Sequence, residues 1–372
     1  MRFTIVTHVP HIKAKNSFYA YAPYVREMNL WIQYVDELII VAPIENIEIT
    51  AIHEAYQHSN IKLVALQSFD FLTTKSMLKA IPTLFSNGRI IYNTFKKTDH
   101  IHLRCPGNIG MLGAVVQILF PKINKTTKYA GNWDPNAAQP LSYKFQKYIV
   151  SSTFWSKKMK VLAYGEWEHQ TANVVPFFTA TYREQEKRTL APKSIDGIIR
   201  LLFVGTLSKG KQPLYAIQLV EALKNAGLNV HLSIYGEGAE KENLISYIEE
   251  HELSTTVSCK GNINKEELIA VYSQSHGILL PSKSEGWPKV LAEAMFWGCL
   301  PMATPVSCVS SMLDDENRGV LLSTNLQKDS SKIKELVDNA EVYQQKINAA
   351  REWSRSFTID KFEQEIMKLL YL

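Results

Sequence analysis

The sequence predicts an α/β chain of two domains, each built on a doubly wound parallel sheet. Three observations carry that expectation. Short apolar runs such as residues 38–42 (LIIVA) and 277–280 (GILL) read as strands buried on both faces, and helix-period segments alternate with them. Several of these runs end in a glycine or a polar, glycine-bearing loop that opens a helix. The chain, at 372 residues, is long enough for two cores, and around 181–197 it turns polar, loses its periodicity and reads as a linker.

In the front half, residues 3–9 form the first strand. The next segment, 11–24, holds His11, Asn16, Ser17 and three tyrosines ahead of a helix over 25–35. Residues 38–42 and 61–65 are further strands, and 114–120 is part of a buried helix or strand. Residues 99–110 (DHIHLRCPGNIG) read as a strand end running into a polar loop, the place where a doubly wound sheet binds ligands. His102, Arg104 and Asn108 lie there; Arg104 is either a fixed donor to phosphate or hydroxyls or half of a buried salt bridge. Residues 128–135 (KYAGNWDP) make the next strand end, and Asp134 can close an Asx turn before Pro135. Over 143–159, Phe145, Tyr148, Ile149, Phe154 and Trp155 are interleaved with Lys144, Lys147, Lys157 and Lys158. That pattern suits a helix lying on an anionic membrane, or a core helix with solvated lysines.

In the rear half, residues 198–205 form a strand ending at Gly205, and 206–213 (TLSKGKQP) sets Thr206, Lys209 and Lys211 before a helix. A Walker A loop is excluded by the missing Gly-Lys-Ser/Thr. Residues 230–235 end at Gly236, and 257–259 run into GNIN, whose Ile263 and Asn264 precede a helix over 265–273 with Asn264 as N-cap. The densest stretch is 281–301 (PSKSEGWPKVLAEAMFWGCLP). Ser284, Glu285, Gly286 and Trp287 form a bend, and Pro288 takes the first helical position. Val290, Leu291, Ala294, Met295 and Trp297 share a buried face up to Gly298. Such a bend aims unpaired N–H groups and the positive helix end at one spot outside the sheet, which suits an anion. Glu285 and Glu293 flank that spot and can accept hydrogen bonds from sugar hydroxyls. The plainer alternative makes Glu285 part of a capping box with Ser282 and Glu293 a solvated helix residue.

Composition narrows the classes. With 46% hydrophobic and 21% charged residues the balance is globular, and no apolar run nears a membrane span. Met1-Arg2 leads directly into a strand with no signal-peptide pattern, so the expected compartment is the cytoplasm. Cys105, Cys259, Cys299 and Cys308 are scattered, which fits reduced, buried thiols. Among ten histidines there is no His-Glu-x-x-His, and no metal site is inferred. The net charge of +5 is uneven: residues 1–190 hold 22 basic against 13 acidic side chains, the remainder 19 against 23. A basic front half suits a membrane leaflet, an acidic acceptor or nucleic acid, and equally a merely soluble face.

The Glu-x7-Glu spacing of Glu285 and Glu293, with its Ser-Glu-Gly-aromatic-Pro lead-in, resembles the donor site of retaining family 4 glycosyltransferases of the GT-B fold. The match spans 198–322; over 1–190 it rests on architecture. The resemblance implies two Rossmann-like domains facing an interdomain cleft, 1–190 on the acceptor side and 198–350 binding a nucleotide sugar, with a helix in 355–372 packing back onto the first. It implies that Glu285 binds the transferred sugar, Glu293 the ribose, and that Lys211, with Lys209 beside it, clamps the diphosphate. Ile263 and Asn264 would border the base, while Gly205, Gly236, Gly286, Trp287, Pro288, Lys289, Val290 and Leu291 would line the donor. Thr206 stands where the family has an arginine. His102 and Arg104 fall at the family's histidine pair, and Asn132, Trp133 and Asp134 at its Thr-x-His-Asp sequence. His11, Asn16 and Asn108 complete the acceptor-side set, in a front half that lacks the family's paired glycines.

The implied activity is retaining transfer of a hexose or N-acetylhexosamine from a nucleoside diphosphate sugar to an acceptor hydroxyl in bacterial surface-glycan assembly. Glu285, Lys211 and Arg104 would be the catalytic side chains, with no metal or other cofactor. The implied partners are the donor and a glycan acceptor, with no nucleic acid; the basic aromatic segment 143–159 suggests in addition a lipid-linked acceptor and a peripheral membrane contact. The expected location is the cytoplasm or the inner face of the membrane. A sugar-nucleotide 2-epimerase of the same fold and a non-catalytic sugar-nucleotide-binding subunit are the alternatives; the epimerase would need front-half acid/base groups that the sequence does not display.

Overall fold

The computed structural model describes residues 1–14, 17–69 and 74–371, with backbone alone for 74–80. The chain groups into two units, Met1–Phe177 with Glu363–Leu372, and Phe178–Phe362. The division falls ahead of the polar stretch expected to be a linker, because residues 178–188 bond within the second unit: Thr181 reaches Glu293, and Tyr182 O accepts from Ile359 N.

In the first unit, β1 (Arg2–Val6) is followed by β2 (Ile12–Ala14), β3 (Ser17–Tyr21), α1 (Ala22–Ile32), β4 (Glu37–Pro43), β5 (His53–Ala55) and β6 (Ile61–Leu66). Then come α2 (Thr74–Phe95), β7 (His100–Cys105), α3 (Asn108–Val116), β8 (Asn124–Tyr129), α4 (Leu141–Ser151), β9 (Met159–Tyr164) and β10 (Val174–Phe177). Seven strands pair in the order β10-β9-β8-β7-β1-β4-β6, and every pairing is parallel. All but the first residue of β4 is buried, as a strand covered on both faces by helices must be. The tyrosine-bearing segment after β1 differs from expectation: β2, β3 and β5 form a small antiparallel sheet, and α1 starts earlier, where Pro23 fits the first turn. Residues 114–120 are the end of α3 and a 3₁₀ turn, Gln117–Leu119.

In the second unit, β11 (Ile199–Val204), α5 (Pro213–Asn225), β12 (Val230–Tyr235), α6 (Lys241–Glu250), β13 (Val257–Gly261), α7 (Lys265–Gln274) and β14 (Gly277–Leu280) are followed by α8 (Lys289–Phe296), β15 (Leu300–Ala303), α9 (Val309–Leu313) and β16 (Val320–Leu321). Helices α10 (Leu326–Val337), α11 (Ala340–Arg355) and α12 (Ile359–Leu370) close the chain, and α12 passes from the second unit into the first at Glu363. The strand order, β13-β12-β11-β14-β15-β16, is that of a dinucleotide-binding fold, and it reverses between β11 and β14. Both units are thus Rossmann-like parallel sheets, the architecture the sequence predicts.

Candidate active site

A doubly wound sheet leaves a crevice beyond the carboxyl ends of the two strands at which its order reverses. In the second unit those strands are β11 and β14, and the chain leaves them through 205–212 and 281–288. The two loops are tied by backbone, since Lys283 N donates to Gly210 O over 2.8 Å. That tie sets Lys211 Nζ 2.5 Å from Glu285 Oε1. The Glu285 side chain is 8% exposed and that of Lys211 31%. The carboxylate is therefore largely enclosed while its cation reaches solvent. Glu285 thus pairs with Lys211 instead of closing a capping box with Ser282.

The rest of the second loop is anchored from behind. The Gly286 carbonyl accepts from Ser307 Oγ at 3.1 Å and Cys308 Sγ at 3.3 Å, and Thr304 Oγ1 donates to Ser282 O. Pro288 is the N-cap of α8 rather than its first residue, and no side chain caps this end. Lys289 and Val290 then have backbone N–H groups with no acceptor inside the helix, beside Glu285 in the chain. Behind them Leu291, Ala294, Met295 and Trp297 are buried and Val290 partly so, which fixes the helix on the sheet. Trp287 is placed by aromatic packing, its ring 6.0 Å from that of Trp353 and 5.9 Å from that of Phe357.

Neighbouring strand ends are drawn together by glycines. Gly205 N donates to Tyr235 O and Gly236 N to Gly261 O. A Cβ on Gly236, whose φ is +143°, would fall 1.9 Å from Gly205 O. Thr206 and Lys209 are exposed on the loop that Gly205 begins. Asn264 caps α7, accepting from Glu267 N at 2.9 Å, and Ile263 beside it is half-buried.

Glu293 has a different setting. Its Oε1 accepts from Thr181 Oγ1 at 2.7 Å and its Oε2 from Tyr272 OH at 3.3 Å. Burial raises its pKa above the usual carboxylate value, against the hydrogen bonds and the nearby Lys289 and Lys265 that lower it. Thr181 and Tyr272 had no signal in the sequence, the first because it is 112 residues from its partner.

The front-half candidates are mostly structural. His11 is fully buried, with Nδ1 2.8 Å from Val9 O and Nε2 2.8 Å from Tyr56 OH; burial brings its pKa down to about 4. His102 is equally buried, 2.8 Å from Thr126 Oγ1 and 4.7 Å from the Trp31 ring, and burial lowers its pKa well below the ordinary value. Neither ring reaches solvent, which corrects their assignment to an acceptor surface. Arg104 takes the structural alternative: Nη1 lies 3.6 Å from Glu27 Oε1, which Lys128 Nζ approaches to 3.9 Å. Asn132 and Asp134 form successive Asx turns, accepting from Asp134 N at 2.9 Å and Asn136 N at 2.8 Å. Trp133 is buried edge-on to Tyr129 at 4.8 Å. Asn108 opens α3 with its Nδ2 on Phe69 O at 3.2 Å. Asn16 lies outside the described residues.

Residues 186–353 match the family described as Glycosyl transferases group 1. A Klebsiella pneumoniae protein described as an uncharacterized 41.2 kDa protein in the cps region is 22% identical, over 88% of this chain and 92% of its own. Sucrose-phosphate synthase of Thermosynechococcus elongatus superposes with a TM-score of 0.68 at 15% identity, covering 100% of this chain and 98% of that one. Anabaena HepE in complex with UDP and glucose gives 0.64 at 13%, covering 100% and 99%. Residues 186–353 thus resemble the glycosyl transferases group 1, and the chain that carries them has the GT-B fold.

Proposed function

We propose that this chain transfers a hexosyl or N-acetylhexosaminyl unit from a nucleoside diphosphate sugar to an acceptor hydroxyl, with retention of anomeric configuration. The observation that carries the reading is the Lys211–Glu285 pair beside the uncapped start of α8, at the reversal of the second sheet. As the sugar–phosphate bond breaks, the diphosphate gains negative charge and the sugar becomes oxocarbenium-like. Lys211 and the amides of Lys289 and Val290 stabilise the departing diphosphate, with Lys209 on the same loop in place of the arginine that Thr206 replaces. When Lys211 turns to the diphosphate, Glu285 keeps a carboxylate oxygen for the sugar hydroxyls. Glu293 retains lone pairs beyond those used by Thr181 and Tyr272, and these accept from the ribose.

No side chain acts as a nucleophile in this reading. The acceptor oxygen attacks the anomeric carbon on the face the diphosphate leaves, and its proton passes to a diphosphate oxygen. Arg104 is left out of the chemistry, its guanidinium lying 3.6 Å from the Glu27 carboxylate. A UDP-sugar donor is supported by the HepE complex, and surface-glycan assembly by the relative in the cps region. Turnover is expected to continue in the presence of a chelator. The test is a thermal-shift panel of nucleoside diphosphates and their sugars, followed by assay of nucleotide release. A donor that raises the unfolding temperature and is hydrolysed supports transfer; one that binds without turnover, with or without an acceptor, favours the binding-subunit alternative.

A further inference from the structure

A helix on a globular surface normally turns its apolar stripe inward. Helix α4 does the reverse over part of its surface. Its buried side chains are Gln146, Ile149 and Val150, whereas Leu141, Phe145 and Tyr148, at i, i+4 and i+7, are 82%, 52% and 63% exposed. The turn that follows adds Phe154 at 69% and Trp155 at 42%, their rings edge to face at 4.9 Å. Gln117 Nε2 donates to Ser156 Oγ over 2.8 Å, tying this turn to the segment bearing Leu119, which is 66% exposed. Along this stretch of chain the charge has one sign. Between residues 135 and 165 there are five lysines and neither aspartate nor glutamate, and Lys144, Lys157, Lys158 and Lys160 are exposed.

We propose that α4 and the turn after it dock on the surface of an anionic phospholipid bilayer. Aromatic side chains next to lysines match the interfacial zone, where rings sit at headgroup level and ammonium groups meet lipid phosphates. Charge complementarity separates this patch from the exposed apolar run with Ile47, Ile49 and Ile52, which is interspersed with Glu45 and Glu48. Among the described residues no helix is long and apolar enough to cross a membrane, so the contact is lateral. It holds the chain where a lipid-linked acceptor would be presented, but it does not depend on the donor chemistry proposed above.

The experiment is sedimentation of the full chain with vesicles of phosphatidylcholine, alone or mixed with phosphatidylglycerol, at low and high salt. The expected result is binding to the anionic vesicles only, weakened by salt. In the double variant Lys157→Glu/Lys158→Glu the affinity drops about tenfold or more. A second double variant, Phe154→Ser/Trp155→Ser, loses binding while keeping the parent's thermal midpoint, since both side chains are exposed. Absence of vesicle binding, equal binding to neutral vesicles, or parent-like binding by both variants overturns the proposal. Concentration-dependent self-association that Phe154→Ser/Trp155→Ser abolishes, without vesicle binding, assigns the patch to a contact between copies.

Discussion

Lys211 Nζ and Glu285 Oε1, 2.5 Å apart, join the loop after β11 to the loop after β14 across the point where the second sheet reverses its order. The pair is unequal, for the carboxylate is enclosed and the ammonium is not. Removing the cation strands a buried charge, whereas neutralising the acid leaves a lysine that water can solvate. Lys211→Met should therefore cost about 1–3 kcal/mol of unfolding free energy, and Glu285→Gln less than about 1 kcal/mol. Urea denaturation of both variants without ligand checks the order; a larger loss in Glu285→Gln would contradict it.

Gly236→Ala should be destabilising and should weaken nucleotide binding together. The added Cβ meets Gly205 O at 1.9 Å with φ at +143°, so the ends of β11 and β12 must part. A loss of about 2 kcal/mol or more is expected. Thermal midpoints with and without nucleoside diphosphate measure both effects, and a parent-like protein would show that the two strand ends are not held together here.

Glu293 links stability to pH in a stated direction. Its folded pKa lies above the ordinary 4.5, so between those two values the native state binds more protons than the unfolded chain. Its contribution is fully present below pH 4.5 and is lost as pH rises through the folded value. Glu293→Gln keeps an acceptor for Thr181 and removes the buried charge. At pH 7 it should be at least as stable as the parent, an advantage that disappears below pH 4.5. Denaturation midpoints at the two pH values check this, and a Gln variant less stable at pH 7 would contradict it. If Glu293 also binds ribose, the same variant raises KM for the donor.

Buried histidines act in the opposite sense. His11 and His100 are both held to about 4 by burial, below their unfolded value. Their contribution is complete above pH 6.5 and is lost as pH falls toward 4, each on the order of 3 kcal/mol. Histidine NMR at pH 5 should find both rings neutral; a ring titrating near 6.5 would contradict the burial.

The rear half was legible because its signals are local. A strand, a glycine bend and a helix start lie within a few residues of one another at 198–213 and 277–298, and a backbone hydrogen bond ties the two loops together. The front half was not, because the same residue types serve there as core. His102 alternates inward on β7 and meets Trp31 and Thr126, partners distant in the chain, and nothing in its immediate sequence separates that fate from a ligand's. Arg104 needed Glu27, and Glu293 needed Thr181, which sat in a stretch whose lack of periodicity reads as linker. The antiparallel β2, β3 and β5 were missed for a related reason, since two of them have only three residues and carry no usable alternation.

On the proposed function, Glu285 grips the transferred sugar while Lys211 meets the diphosphate. Nucleotide release from the donor found in the thermal-shift panel, compared between the parent and folded Glu285→Gln, tests it most directly. Turnover should fall about a hundredfold or more, with the free nucleoside diphosphate still raising the unfolding temperature of the variant. Unchanged turnover by a folded Glu285→Gln protein would contradict it.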